Sequence, residues 1–378
     1  MKLVKIKGTP YEMGLQYGQQ CKKEIKTFVR LLYMMVSRMS MPDMKAVHPK
    51  FWYIFPALFR LKNEKKKFRS LTNKHEEWVK KYYSDAIEQI KGIAEGAEVS
   101  YEDVLVINIL TEYTYGLHHC SAWSACGKAT KTGEPFLGMH SDEEKGVSKY
   151  EIILQVEPIN GYKYIGTTLT GTILPAGAMN EKGLATGAPL LLWVRSGGEM
   201  FDHMPLMSLF RVLNECASID KALELYEAFP NPAVSVSLHL ADKNKIARIE
   251  FAKKERNIDV IENGTLYNCN MAMSEKIKKY DIVHEVSEKF TYNAFPRTKR
   301  MGELMEKYYG RIDEEAMKAI ARDHGEGETK SRSICQHVKP FSAGLETIGS
   351  FIAKPKDLKM WISVGAQPCT QEYEEFTF

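Results

Sequence analysis

The spacing of apolar residues divides the chain into a mainly helical first part and a mainly strand-forming second part. Thr9 and Glu12 flank a proline at the first helical position, which predicts a helix whose N-cap is Thr9 and whose Glu12 side chain bonds back to the cap. Apolar residues then recur at helical spacing from Trp78 to Ala94, which predicts an amphipathic helix that ends near Gly96.

Gly14 and Gly18 lie four residues apart on one face of the first predicted helix. The absence of side chains there lets another backbone approach closely. The alternative is that both glycines are merely tolerated, at some cost in helix stability.

After residue 120 the pattern changes to short strand-like runs separated by turn residues: SAWSACG, PFLGMHS, EIILQV, YKYIGTT, SVSLHLAD, IARIEFA and GTLYNCN. Residues 206–229 have the spacing of two helices, and the chain returns to helical spacing at about residues 298–322. Helices followed by strands, helices and strands again predict an α+β fold in which helices cover sheets.

The charge of the chain gives no reason to expect a nucleic-acid partner. Lysine and arginine total 52 against 48 acidic residues, a net charge of +4. The first residues lack the apolar stretch of a signal peptide, and no run approaches the length of a membrane span, so we expect a cytoplasmic protein with a small-molecule partner. Seven scattered cysteines then predict reduced thiols rather than a disulfide framework.

Residues 29–62 are rich in methionine and aromatic side chains. Such a stretch is either ordinary core or the wall of a site for an oily acyl group, to which adaptable methionine-rich surfaces are suited.

Cys120 and Asp142 flank a predicted β-hairpin. Lys131, Thr132 and Gly133 supply turn residues between two apolar runs, and residue 131 is the midpoint of 120 and 142. An antiparallel hairpin folded at that turn would place the thiol and the carboxylate nearly opposite each other.

A zinc site shared by neighbouring side chains is disfavoured in this hairpin. Cys126 follows Cys120 by six residues, which span about 20 Å in an extended strand at roughly 3.3 Å per residue. His118 and His119 would therefore reach one cysteine but not both, and no metal is predicted.

His119-Cys120-Ser121, the hairpin and the run Gly138 to Asp142 resemble the nucleophile region of the C45 peptidase or acyl-CoA:6-aminopenicillanate acyltransferase family, which is related to bile salt hydrolases and penicillin V acylases. The likeness extends over most of the chain, in four further segments: 8–18, 179–184, 266–270 and 333–337.

The resemblance implies a four-layer αββα fold of the N-terminal-nucleophile hydrolases and a precursor that cuts itself between His119 and Cys120. Residues 1–119 would become the smaller, mostly helical chain, and residues 120–378 the catalytic chain that starts at the nucleophile. The two chains would stay associated.

Cleavage would turn an amide nitrogen into a free amine, whose ordinary pKa of about 7.7 to 8.0 suits proton exchange near neutrality. The amine would take the thiol proton of Cys120, and the thiolate would attack a substrate carbonyl to form a thioester acyl-enzyme. Water as acceptor gives hydrolysis of a linear N-acyl amide, and an amine gives acyl transfer.

The family likeness assigns roles to three further residues. Asp142 matches the position that holds the new α-amine, and Asn270 matches the donor of the oxyanion hole. Asn268 faces the same side of that predicted strand and is the alternative to Asn270. Arg297 matches the arginine placed near the nucleophile, or is a surface arginine at the start of a helix.

The sequence departs from its relatives at three positions. Bile salt hydrolases have arginine where Met139 stands and asparagine where Leu190 stands, so these two residues would line a different substrate site. His119 stands where the fungal acyltransferase has glycine, and it either slows self-cleavage or assists it.

Two other interpretations stay open. Cys335 with His337 or His324 would be the nucleophile and base of a conventional cysteine hydrolase, although the spacing of two residues matches no recognised nucleophile motif. Alternatively, the protein keeps the fold, stays uncut and binds a ligand. No cofactor is implied, although the family likeness makes acyl-CoA a possible co-substrate.

Overall fold

Two β-sheets lie face to face and carry helices on their outer sides. The computed structural model describes residues 1–39, 73, 75–113, 119–191, 194, 206–232, 234–252, 255–281, 294–325, 333–337 and 345–378. Most of the methionine-rich segment 29–62, from residue 40 onward, lies outside these ranges.

The labelled helices are α1 (Pro10–Gln20), α2 (Lys22–Met39), α3 (Ser84–Ala97), α4 (Tyr101–Tyr113), α5 (Val212–Glu215), α6 (Ile219–Glu227), α7 (Glu275–Lys278), α8 (Ala294–Lys307) and α9 (Glu314–Ala321). In the ranges that the structure describes, no helix is both long enough and apolar enough to cross a bilayer.

The strands are β1 (Leu3–Gly8), β2 (His119–Gly127), β3 (Gly133–Glu144), β4 (Glu151–Pro158), β5 (Tyr164–Leu169), β6 (Gly177–Asn180), β7 (Ala185–Gly187), β8 (Val236–Ala241), β9 (Ile246–Ala252), β10 (Glu255–Ile261), β11 (Gly264–Asn268), β12 (Leu345–Lys354), β13 (Lys359–Val364) and β14 (Glu374–Thr377).

The larger sheet has the strand order β1-β4-β5-β6-β7-β8-β9-β10, and the smaller sheet has the order β11-β2-β3-β12-β13-β14. β1 pairs with β4 in parallel. Its neighbours along the larger sheet pair antiparallel, as do the strands of the smaller sheet.

Three apolar cores separate four layers. Alternate residues of β4 enter different cores: Ile152 packs among the side chains of α1 to α4, whereas Ile153 faces the second sheet. In the smaller sheet, Met139 faces the gap between the sheets, whereas Trp123 packs against Met301 of α8 and its neighbours. The order helix, sheet, sheet, helix confirms the predicted α+β, αββα fold.

The predicted start of α1 is confirmed in detail. The Thr9 hydroxyl accepts a hydrogen bond from the Glu12 backbone N–H at 3.3 Å, and the Glu12 carboxylate accepts one from the Thr9 N–H at 2.8 Å. This reciprocal capping box satisfies two N–H groups that the helix itself leaves without acceptors.

The close approach predicted at Gly14 is also confirmed, and the partner is α3. A Cβ atom added to Gly14 would lie 2.1 Å from the backbone oxygen of Gln89. The contact is reciprocal, because a Cβ on Gly92 would lie 2.2 Å from the backbone oxygen of Tyr11. The two helices therefore touch backbone to backbone along glycines of both.

The predicted hairpin exists as β2 and β3, but the predicted register differs from the observed register by one residue. Cys120 lies opposite Ser141, and His119 lies opposite Asp142. The turn occupies residues 128–132, so its centre is one residue earlier than expected, and a bulge before Phe136 of β3 compensates for only part of the shift. A one-residue offset changes which face of a strand a side chain occupies.

Two details were not predicted from the sequence. The helical region expected at about 298–322 consists of two helices, because Gly310 has a left-handed φ of 79° and Asp313 starts a new helix by accepting a bond from Ala316 N–H at 3.1 Å. Strand β1 was missed, although Val4 and Ile6 are buried between exposed neighbours, a period-two pattern typical of a strand.

Gly14→Ala tests the helix contact. Alanine favours an isolated helix over glycine by about 1 kcal/mol, so without the contact the variant would be more stable than wild type. We expect instead a free energy of unfolding lower by about 1 to 3 kcal/mol, because the added methyl group would overpack the interface. Urea denaturation measures the difference, with Lys91→Ala on an exposed position of α3 as the control. A stabilised Gly14→Ala variant would contradict the contact.

Candidate functional site

Cys120 is the second residue of β2, and its side chain faces the gap between the two sheets. The residue is partly exposed, and the gap beside it contains a cavity of about 90 Å³. Met139 and Ser141 of the neighbouring strand β3 line the same cavity. They are two residues apart, and alternate side chains of a strand point to the same face of the sheet. The thiol of Cys120 therefore opens on this cavity.

The predicted substrate residues Met139 and Leu190 both line the cavity and are both buried. The cavity is smaller than the roughly 300 to 1,000 Å³ of sites for drug-sized ligands. A sizeable acyl group would therefore enter only if the cavity widened.

The backbone nitrogen of Cys120 is bound by Asn270. The Cys120 N–H donates to Asn270 Oδ1 at 3.0 Å, and Asn270 Nδ2 donates to the backbone oxygen of Leu190 at 2.8 Å. Both ends of the Asn270 amide are thus engaged. Its expected use as an oxyanion donor would require Nδ2 to leave Leu190.

Asn268 shapes the turn that presents Asn270. Asn268 Oδ1 accepts a hydrogen bond from the Asn270 N–H at 2.9 Å, and its Nδ2 donates to the backbone oxygen of Met271. Asn270 has a left-handed φ of 65°, a conformation that asparagine tolerates better than most residues. Asn268 therefore acts on the backbone and not in the cavity.

Asp142 lies on the opposite face of β3 from Ser141, so its carboxylate does not share the cavity with the thiol. It is fully buried, forms an ion pair with Arg297 Nη2, and accepts a hydrogen bond from Thr347 Oγ1 at 2.5 Å. The family likeness assigned this carboxylate to the new α-amine of Cys120. In the continuous chain, the amide N–H of Cys120 donates to Asn270 Oδ1 instead.

Arg297 is buried in the first turns of α8, which contradicts its alternative interpretation as a surface residue. Besides Asp142, its Nη2 lies 3.4 Å from Ser121 Oγ. The guanidinium thus contacts side chains of both strands of the hairpin, on the face opposite Cys120.

The surroundings keep the thiol of Cys120 protonated. Burial raises its pKa well above the usual range, and the negative charges of Asp142 and Glu143 raise it further. The charge of Arg297 and a hydrogen bond from the backbone of Asp142 act in the opposite direction. In the continuous chain, formation of a thiolate at Cys120 would therefore require a base that accepts its proton.

Two buried carboxyl groups that sequence reasoning missed also line the cavity: Glu143 from the smaller sheet and Glu151 from the larger sheet. Burial raises the pKa of Glu151 well above its usual range, the charge of Glu143 raises it further, and a hydrogen bond with the Ser141 side chain lowers it. A Cβ on Gly349 would lie 2.1 Å from Glu151 Oε1, so that position leaves room for the carboxyl group.

No local motif marks Glu151, because its partners lie on other strands. The one available signal was an acidic residue at the start of the apolar run EIILQV.

The residues of the alternative cysteine hydrolase lie elsewhere. Cys335 Sγ lies 3.7 Å from His337 Nε2, and His324 Nε2 lies 2.9 Å from the same nitrogen. None of the three residues lines the cavity of Cys120. A larger cavity of about 500 Å³ lies between the start of α1 and residues 158–161, and Cys120 is not among its lining residues. We therefore assign the site by its chemistry and not by its volume.

Comparison with known proteins places the chain among acyl-transferases. The family model described as acyl-coenzyme A:6-aminopenicillanic acid acyl-transferase matches residues 129–368, well over half of the chain. The match starts in the hairpin turn, so it includes Asp142, Asn270 and Arg297 but not Cys120.

One curated relative, an uncharacterised protein of Archaeoglobus fulgidus, is 23% identical over 213 residues. The match covers 50% of this chain but only 32% of that protein, so the chain spans about a third of the length of this relative.

Similar solved structures include a mutant of conjugated bile acid hydrolase from Clostridium perfringens, with 13% identity and a TM-score of 0.42 over 68% of this chain and 97% of that one. An N-acylethanolamine-hydrolyzing acid amidase ortholog from Caenorhabditis elegans has 14% identity and a TM-score of 0.42 over 63% and 93%. Penicillin V acylase from Agrobacterium tumefaciens has 12% identity and a TM-score of 0.38 over 65% and 83%. The fold assignment depends on the layers and registers described above and not on these likenesses.

Arg297→Met tests the buried ion pair. Removing one partner leaves the buried Asp142 carboxylate without its counter-charge, so we expect the free energy of unfolding to fall by about 3 to 5 kcal/mol. Urea denaturation measures it. Replacing Asp142 by leucine in the same background should restore part of the loss, and Arg300→Met, at a partly exposed position of α8, should cost less. Equal costs for the two arginines would contradict the assignment.

Glu151→Gln tests the buried carboxyl group. Because the folded-state pKa of Glu151 is raised above the unfolded value of about 4.3, the folded state binds more protons, and stability falls as pH rises from that value through the folded pKa. Glutamine cannot ionise, so we expect the variant to gain stability relative to wild type as pH increases from about 4 to 8. Urea denaturation across this range, with Glu157→Gln of the same strand as the control, measures it. A difference that does not change with pH would contradict the raised pKa.

Proposed function

Because this chain belongs to the acyl-coenzyme A:6-aminopenicillanic acid acyl-transferase family, we propose that it is an enzyme that opens or forms linear amide bonds with Cys120 as its nucleophile. The observation that carries the proposal is the position of one residue. The thiol of Cys120 opens on the cavity between the sheets, while its backbone nitrogen is held by Asn270 at 3.0 Å.

The first step is self-cleavage. The Cys120 sulfur attacks the carbonyl carbon of His119, the C–N bond breaks, and the thiol proton passes to the departing nitrogen. Water then hydrolyses the thioester, which leaves a carboxylate on His119 and restores the thiol. The products are chains of 119 and 378 − 119 = 259 residues.

Cleavage supplies the base that the continuous chain lacks. The amide nitrogen of Cys120 has no basicity, whereas the α-amine has an ordinary pKa of about 7.7 to 8.0. The amine takes the thiol proton, directly or through water, and its resulting positive charge stabilises the thiolate against the burial that raises the thiol pKa.

The thiolate then attacks the carbonyl carbon of an N-acyl amide and forms a thioester, and the amine of Cys120 returns the proton to the leaving nitrogen. Water as acceptor completes hydrolysis, and a second amine completes acyl transfer. An acyl-CoA thioester is a candidate acyl donor in the second case.

Some polar groups contact Cys120 directly, and others position the hairpin that carries it. Asn270 directs the nitrogen of Cys120, and its Nδ2 becomes an oxyanion donor if it exchanges Leu190 for the substrate. Asp142 and Arg297 are positioning residues, because their ion pair lies behind the hairpin and not in the cavity.

The two fragments stay together in this proposal. β1 of the first fragment pairs with β4 of the second over six residue pairs, from Leu3 with Ile153 to Gly8 with Pro158. Tyr17 of α1 packs in the same core as residues of β4, and its hydroxyl accepts a bond from the Gly171 N–H at 2.9 Å.

Intact-protein mass spectrometry of wild type beside Cys120→Ala tests self-cleavage. We expect wild type to give two fragments that meet at His119 and Cys120 and that elute together without denaturant. The Cys120→Ala variant should remain one chain of 43.1 kDa.

Cys126→Ala is the matched control, because Cys126 is a buried cysteine on the same strand that does not line the cavity. This variant should cleave as wild type does. A wild-type protein that stays uncut under all conditions and binds a ligand would favour the non-catalytic interpretation. Cleaved wild type that releases no amine from a panel of N-acyl amides would refute the hydrolase.

A further inference from the structure

Two imidazoles and two thiols converge on one point on the helix side of the smaller sheet. One ligand atom from each lies within 4.8 Å of the others: His324, Cys335, His337 and Cys369. We call this group the Cys2His2 cluster. None of its members lines the cavity of Cys120.

The contacts centre on the Nε2 atom of His337. It lies 2.9 Å from His324 Nε2, 3.2 Å from Cys369 Sγ and 3.7 Å from Cys335 Sγ. A neutral imidazole nitrogen either donates one hydrogen or accepts one. One nitrogen therefore cannot satisfy three such neighbours by hydrogen bonding, whereas a cation among them would interact with every member.

The donor set and spacing fit zinc. Two thiolates and two imidazoles form a common structural zinc site with four tetrahedral ligands. Bond lengths of about 2.0 to 2.1 Å to nitrogen and about 2.3 Å to sulfur place tetrahedral ligand atoms roughly 3.3 to 3.8 Å apart. Of the three observed distances, 3.7 Å lies within this range and 2.9 and 3.2 Å are slightly shorter, so small side-chain movements would complete the site.

The cluster joins three parts of the chain that the sequence separates. His324 follows α9, Cys335 and His337 belong to segment 333–337, and Cys369 lies in a turn after β13. Other contacts already place two of these parts, since the Cys335 N–H donates to the backbone oxygen of Asp323 at 2.9 Å. The turn with Cys369 is fixed by Arg322, whose Nε donates to the backbone oxygen of Pro368 at 2.9 Å.

We propose that the Cys2His2 cluster is a structural zinc site in which all four side chains are ligands. Both thiols lose their protons on binding, so the two thiolates balance the charge of Zn²⁺ and the two protons pass to solvent. All four ligand positions come from the protein, which makes the site closed and structural rather than catalytic.

The proposed zinc site would also restrain the hairpin, because segment 333–337 contacts residues next to it and on it. Segment 333–337 contacts Thr347, whose hydroxyl accepts a bond from the Gln336 N–H at 2.9 Å and donates to Asp142. The same segment binds His140 of β3, whose Nδ1 lies 3.2 Å from the backbone oxygen of Ile334. A metal that fixes this segment therefore also fixes the groups behind the nucleophile strand.

Metal analysis of the full chain tests the site. The protein is purified with reduced thiols, its zinc content is measured by mass spectrometry, and Co²⁺ is then exchanged for the metal. We expect one zinc per chain and, with Co²⁺, the ligand-field and thiolate-to-metal absorption bands of a tetrahedral site. Zinc affinity is measured by competition with a chromophoric chelator.

Two variants at partly exposed positions, Cys369→Ser and His324→Ala, should each lose affinity. Each variant should bind zinc at least about 10- to 100-fold more weakly than wild type. Loss of a residue that only hydrogen-bonds to a ligand already costs that much affinity, and these variants lose a ligand itself. Cys216→Ala, at a buried cysteine outside the cluster, should bind as wild type does. Cys120→Ala should also keep its zinc, which separates this test from that of self-cleavage.

Three results would overturn the proposal. The first is a reduced wild-type protein that takes up no zinc. The second is equal zinc binding by wild type and both cluster variants, which would place the metal elsewhere. The third is a mass deficit of two hydrogens that maps to a Cys335–Cys369 disulfide and persists until reduction, with no metal bound afterwards.

Discussion

The buried ion pair between Arg297 and Asp142 connects the outer helix layer to two neighbouring strands of the smaller sheet at one point. Both side chains are fully buried, so each charge has lost its water and depends on the other. Arg297 comes from α8, Asp142 from β3, and Thr347 of β12 supplies a second bond to the carboxylate. Since a buried charge without its partner is costly, helix, hairpin and third strand can adopt few other relative positions.

The alternation of side chains along a strand then separates two kinds of chemistry. Odd and even positions of β3 face opposite ways, so Ser141 and Glu143 line the cavity, whereas Asp142 faces the helices. The thiol of Cys120 lines the cavity, and the ion pair lies on the other side of the same sheet. The charges therefore influence the thiol across the backbone and remain out of reach of a substrate.

Most of the structural elements that were predicted correctly have local sequence patterns. The capping box of α1 needs residues only three apart, and the hairpin needs one turn between two apolar runs, so both were predicted. The predicted register failed by one residue because the turn at residues 128–132 is centred on residue 130 and not 131, and the bulge before Phe136 compensates for only part of that shift. Glu151 was missed because its setting comes from Ser141 and Gly349 on other strands.

The Cys2His2 cluster was also missed from the sequence because its residues are far apart in the chain. Its ligands have the spacing His-x10-Cys-x-His-x31-Cys, which differs from that of known zinc motifs, and only the folded chain brings Cys369 to the others. The sequence argument against zinc concerned Cys120 and Cys126, and the strand geometry supports it, since both lie on the extended β2. His118, a further member of that rejected group, lies outside the described residues. That argument said nothing about cysteines far apart in the chain.

The parallel pairing of β1 with β4 determines what self-cleavage would produce. β1 is the edge strand of the larger sheet, and it belongs to the part of the chain before Cys120. Losing that part would expose the backbone of β4 as a new, unpaired sheet edge, the kind of surface that promotes aggregation. Under the proposed cleavage, the first 119 residues would therefore complete the larger sheet as a subunit and would not be discarded as a propeptide.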